Sequence, residues 1–88
     1  LPISSELRKS IKSWFSLSDE FQIDIRNHNI EISSWDRSLW LNLLEMRDEY
    51  YYIQLGHIEN GQVKLDGHYR CDQLDGLERF LKDKDIIK

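Results

Sequence analysis

Apolar and polar residues alternate one for one in FQIDI, where Phe21, Ile23 and Ile25 fall on one side and Gln22 and Asp24 on the other. Ile30 and Ile32 resume the same pattern after RNHN. A period of two is that of a half-buried strand. The asparagines flanking His28 suit the tight turn between two such strands, because Asn tolerates left-handed backbone angles. This stretch predicts a hairpin.

The period changes at both ends of the chain. In LPISSELRKSIKSWFSL, Leu7, Ile11, Trp14 and Phe15 stand at i, i+4, i+7 and i+8, with Ser4 or Ser5 as N-cap and Glu6 in the first turn. That spacing predicts an amphipathic helix over residues 4–15, with Arg8, Lys9 and Lys12 off the apolar stripe. SLSDE then reads as a loop. CDQLDGLERFLKDKDIIK places Leu74, Leu77, Phe80 and Leu81 on one helical face behind Asp72 as N-cap, with Asp75 three residues on. It predicts a second helix, weakened a little by Gly76.

SSWDRSLWLNLLEM fits two periods. Trp35, Leu39, Leu43 and Met46 form a helical stripe behind Ser33 or Ser34, while Leu39, Leu41 and Leu43 alternate as in a strand. The flanking hairpins favour a strand over residues 38–46, and apolar residues on both sides of it suit a central position in a sheet. YYYIQLGHI and QVKLDGHYRC then form a hairpin around Asn60-Gly61, a strong turn signal. Gly56 and Gly67 mark bulges or close approaches of backbone. The expected fold is a single α+β domain over residues 1–88: an N-terminal helix, an antiparallel meander of four to five strands and a C-terminal helix, both helices on one face.

This architecture leaves one sheet face open, and the alternation says which residues occupy it. Tyr51, Ile53 and Leu55 point inward; Tyr50, Tyr52 and Gln54 point outward. The outward set of the other strands is Gln22, Asp24, Glu31, Gln62, Lys64 and Asp66, together with Trp40. The candidate partner-binding residues are therefore Tyr50, Tyr52, Trp40, Asp24, Glu31, Gln54 and Asp66. Tyr and Trp are favoured interface anchors, each carrying roughly 150–250 Å² to bury. The plainer reading is that Tyr50 and Tyr52 form cross-strand pairs that stiffen the sheet.

Charge narrows the class of partner. The 88 residues carry a formal charge of −4, distributed as +2 over residues 1–18, −5 over 19–71 and −1 over 72–88. A protein that grips nucleic-acid backbone shows a net basic footprint, and here it is missing. Bases stacked on Tyr50, Tyr52 and Trp40 would bring phosphates toward Asp24, Glu31 and Asp66. An acidic middle fits a basic protein partner better. The hydrophobic fraction of 40% is that of a chain that folds. The single cysteine, Cys71, has no partner for an internal disulfide, as in a reduced, cytoplasmic-type protein. No apolar run reaches the roughly 18 residues of a membrane span, and no signal-peptide pattern opens the chain.

Candidate chemistry is sparse. His28, His57, His68 and Cys71 are the soft ligands, and only His68 and Cys71 are closely spaced. A structural zinc site needs a second pair, and a Cys-His nucleophile needs an oxyanion signature. Neither is found, so no catalytic, metal or cofactor residue is assigned. Asp19-Glu20 and Asp48-Glu49 fall in predicted turns as solvated charges. The expected function is a non-catalytic binding module whose acidic, aromatic sheet face docks on a basic protein, as an inhibitor or immunity-type protein would. The alternatives are an oligomerisation or adaptor domain that buries the same face in a homodimer, and a small nucleic-acid-binding domain.

Overall fold

The structure, a computed structural model, describes residues 1–16 and 18–88; Leu17, inside the segment read as a loop, lies outside the described residues. Helix α1 spans Ser5–Phe15, followed by strands β1 (Phe21–Ile25), β2 (Ile30–Ser34), β3 (Trp40–Met46), β4 (Tyr50–Glu59) and β5 (Gln62–Asp72), and by helix α2 (Gln73–Asp83). The strands form one antiparallel sheet in the order β1-β2-β3-β4-β5. Both helices pack on one face, as the two amphipathic stripes require.

Ser4 caps α1 by accepting a hydrogen bond from the Leu7 amide at 3.2 Å. The helix buries Leu7, Ile11 and Phe15, one residue per turn. They meet Ile30, Ile32, Leu41, Leu43, Tyr51, Ile53 and Cys71, the inward residues of β2–β5, in a single core. α2 adds Leu77 and Leu81. Segment 34–46 is settled by this core: Leu41 and Leu43 enter it from β3, whereas Trp35, part of the helical alternative, is 65% exposed. Glu45 also faces the helices, and its carboxylate accepts from the Ser4 amide at 2.9 Å, an anion at a helix N-terminus.

Two local expectations are corrected, and one feature is added to them. The turn between β1 and β2 closes with Arg26 N–H donating to the Asn29 carbonyl at 2.9 Å, yet neither Asn27 nor Asn29 takes positive φ. Asn29 serves by its side chain instead, its Nδ2 donating to Asn42 Oδ1 at 2.9 Å, while at Asn27 it is the backbone carbonyl, common to every residue, that accepts from the Ile3 amide at 2.7 Å. Second, Asp72 holds the cap position of α2 without bonding to the helix. The chain reverses at Gln73 (φ 62°), and Asp72 pairs with Arg70 at 3.1 Å instead. Third, the core does not stop at Leu81. Asp85 adopts φ 59° and the Ile86 amide donates to the Leu81 carbonyl at 2.9 Å, a helix-terminating geometry that folds Ile86 and Ile87 back into the core.

Asn60 (φ 54°) and Gly61 (φ 77°) make the expected left-handed turn of the β4–β5 hairpin. A bulge lies between Leu55 and Gly56 on β4, where β5 carries the extra residue, Asp66. Both glycines named above, Gly56 and Gly67, flank it. No helix among the described residues is long and apolar enough to cross a membrane.

Candidate functional site

Cross-strand register builds the open face in rows. Gln22, Ser33, Trp40, Gly56 and Leu65 form one row, and Asp24, Glu31, Asn42, Gln54 and His68 the next. Leu44, Tyr52 and Arg70, then Met46, Tyr50 and Asp72, complete it. Six of the seven predicted residues therefore share this face: Tyr50, Tyr52, Trp40, Asp24, Glu31 and Gln54. Tyr51 is buried on the opposite side, 8% exposed, as the parity argument requires.

Asp66 is the exception. The bulge shifts parity, so that in residues 62–65 the open face receives Val63 and Leu65, opposite Ile58 and Gly56, rather than Gln62 and Lys64. Asp66 bonds His57 Nδ1 at 2.9 Å, and His57 projects with Leu55 and Ile53 from the helix-bearing side. Val63 and Leu65, 43% and 61% exposed, are open-face residues whose side the alternation inverted, and Leu44 and Met46 of β3 share the face although the outward set omitted them. The glycines signalled the bulge; its effect on parity depends on which strand holds the extra residue.

The side chains of the face hold one another in place. Trp40 Nε1 donates to Glu31 at 2.8 Å. Asn29 donates to Asn42 at 2.9 Å and Asn42 to Gln54 at 3.0 Å, an amide ladder across the sheet. Tyr52 Oη lies 2.9 Å from His68 Nδ1, and the Arg70 guanidinium sits 3.9 Å from the centre of the Tyr50 ring. Aromatic groups fixed in this way lose little rotamer freedom on docking.

Charge is more balanced here than composition suggests. Arg26 pairs with Asp24 at 2.7 Å and with Glu31 at 3.0 Å, and these carboxylates, the Glu31 hydrogen bond first, hold its pKa above its ordinary value. Arg70 offsets Asp72. The surplus on this face is one carboxylate, at the β1–β2 edge. Arg8 on α1 donates to the carbonyls of Ile3 and Arg26, which ties it to the hairpin turn.

No family model, curated protein or solved structure matches this chain. The functional reading rests on geometry and charge.

Among the described residues no group of three or more His, Cys, Asp or Glu side chains is arranged to hold a metal ion. His68 is engaged by Tyr52 on the open face, whereas Cys71 is buried on the other, where burial raises its thiol pKa, aided by Asp72. Their sequence spacing does not bring them together. His57 is clamped between Asp66 and Glu59, its Nε2 3.2 Å from Glu59. The Asp66 bond, then the Glu59 bond, raises its pKa above the ordinary 6.5. Desolvation opposes them; Lys64 is the cross-strand partner of His57. A raised pKa in the folded state means that protonated His57 stabilises the hairpin tip: the contribution is complete below about pH 6.5 and is lost as pH rises through the folded value. The urea midpoint of the wild type is expected to fall between about pH 6 and pH 8.5 more than that of His57→Gln. Parallel profiles would remove the clamp.

Proposed function

We propose that the protein is a non-catalytic binding module that docks the open sheet face on a protein partner and acts by covering the surface it binds, as an inhibitor or immunity-type protein does. The observation that carries this reading is that both helices lie on one side, leaving Trp40, Leu44, Met46, Tyr50 and Tyr52 together on a sheet face that no helix or strand among the described residues covers. A sheet needs one covered face to be stable. Five large apolar or aromatic residues on the other give a contact area with anchors already oriented. The partner's contribution is basic at the β1–β2 edge, where Asp24 and Glu31 share the single Arg26.

The test is capture on the immobilised full chain, with a Tyr50→Ala/Tyr52→Ala variant alongside. A protein retained by the wild type, not retained by the variant and released by a few hundred millimolar salt is expected. The variant should keep the wild-type circular dichroism, because neither side chain enters the core. Equal retention on both would remove the docking face.

The exposed Val63 and Leu65 on the same face favour a second reading, burial against a second copy as an oligomerisation or adaptor domain. Light scattering separates the two. A mass that stays at 10.6 kDa at high concentration supports docking on a different protein, whereas a doubled mass supports self-association.

A further inference from the structure

A groove lies away from the open face, between the segment leading into β1, the turn between β2 and β3, and the tail after α2. It consists of two adjoining depressions of about 640 Å³ each that share Asp19, Glu20, Asp85 and Ile86. Phe21, Leu39 and Ile86 give the first depression an apolar lining, and Trp35 stands beside them. The Trp35 indole is 65% exposed, and among the described residues it stacks on no aromatic ring and no cation. Its backbone is held: the Trp35 amide donates to the Glu20 carbonyl at 3.1 Å, and Asp36 accepts from Ser34 Oγ at 2.7 Å and from the Ser38 amide at 2.9 Å. This is a large aromatic surface left in water on a backbone that is itself tied down.

Charge says what fits it. Asp19, Glu20, Asp36 and Asp85 line the first depression against one cation, Lys84. The Lys84 ammonium is drawn aside, 4.8 Å from the centre of the Tyr69 ring. Lys88 lines only the second depression. Among the described residues none of these four carboxylates takes part in an ion pair, whereas those of the open face are shared with Arg26 and Arg70. The charge expected to attract a basic partner is concentrated here. We infer that the groove receives an arginine- or lysine-bearing peptide segment of a protein partner, with the cationic head over the Trp35 indole and its aliphatic stem against Phe21, Leu39 and Ile86. A cation over an indole gains most among the aromatics, the carboxylates supply the field, and an Arg or Lys stem buries well on apolar surface. Arginine, whose planar group both stacks and pairs with carboxylates, is the better occupant.

The inference does not depend on open-face docking, and the test keeps the two apart. The full-length chain, labelled with ¹⁵N, is titrated with a capped Gly-Arg-Gly-Arg-Gly peptide and separately with its glutamate counterpart. Expected is saturable binding of the arginine peptide alone, with shift changes confined to residues 18–21, 34–39 and 84–88 and to the Trp35 indole N–H. Trp35→Ala, and separately Asp19→Asn/Asp85→Asn, should each weaken it roughly tenfold. Asp24→Asn/Glu31→Gln and Tyr50→Ala/Tyr52→Ala should leave it unchanged, and Trp35→Phe should restore part of the affinity. All the substituted positions are exposed or half-exposed, so circular dichroism should report folded chains throughout. No saturation by millimolar peptide, shift changes centred on the open face, or equal weakening by the open-face variants would each overturn the assignment.

Discussion

Replacing Tyr51 by alanine is expected to cost about 3 kcal/mol, at the lower end of the range for truncating a large buried aromatic. Its ring sits on the helix-bearing face of β4, opposite Glu45 on β3 and Cys71 on β5, in the core shared with α1 and α2. Burial, and the nearby Glu45, Glu6 and Glu49, raise its phenol pKa, and no hydrogen bond to the hydroxyl is found among the described residues. The loss on truncation is therefore one of packing, and Tyr51→Phe should be close to neutral. A domain of this size has roughly 5–15 kcal/mol to lose, so the urea midpoint should fall steeply. Tyr50→Ala/Tyr52→Ala removes twice as many rings and should cost less, because those rings stand in partial contact with water. If the double variant unfolds and Tyr51→Ala does not, the parity of β4 is inverted and the docking face disappears with it.

Gly56→Ala should be the most damaging single methyl group in the protein. A Cβ at this position collides with the Lys64 carbonyl oxygen and comes within 3.2 Å of the Lys64 carbonyl carbon and 3.3 Å of Leu65 Cα. All three are backbone, so relief requires β5 to move or the bulge to open. Overpacking against side chains costs about 1–3 kcal/mol, and this substitution should lie at or above the top of that range. Shift changes should spread along residues 62–68 as the register adjusts. Gly76→Ala is the contrast: it lies within α2 with nothing inside 4 Å of the added carbon. There the methyl group should stabilise by about 0.5–1 kcal/mol through helix propensity and a less flexible unfolded chain. Chemical denaturation of the two variants, measured side by side, checks both signs. A neutral Gly56→Ala would mean that β4 and β5 do not approach as described.

Much of the fold is legible in the sequence because it depends on one-dimensional periods. Leu7, Ile11 and Phe15 repeat with the turn of a helix; Phe21, Ile23 and Ile25 repeat with the pleat of a strand. Asn60-Gly61 carries its own turn chemistry. Burial of apolar area enforces these periods directly, so the element order, the location of the sheet and the inward Tyr51 follow from them. The segment around Leu41 was harder, because a central strand with apolar residues on both faces imitates a helix over a short window. The tail was missed for a different reason: Ile86 and Ile87 reach the core only because Asp85 takes a left-handed conformation, which Asp adopts less readily than Gly or Asn.

By itself the sequence determined which residues are apolar, the period at which they recur, and hence which of the three tyrosines must be buried. Tertiary structure alone decided three further matters. Asp66 leaves the open face and Leu65 joins it, because the bulge adds its residue to β5 and not to β4, a choice set by how closely the two backbones pass at Gly56. Arg26 reaches both Asp24 and Glu31, and Arg70 takes Asp72, because which carboxylate a cation takes is set by the directions of the side chains on the folded face and not by their spacing. Asp19, Glu20, Asp36 and Asp85 line one depression with Trp35, because the segment before β1, the β2–β3 turn and the tail of α2 meet there. Local alternation reports burial; it carries no information on which distant groups become neighbours.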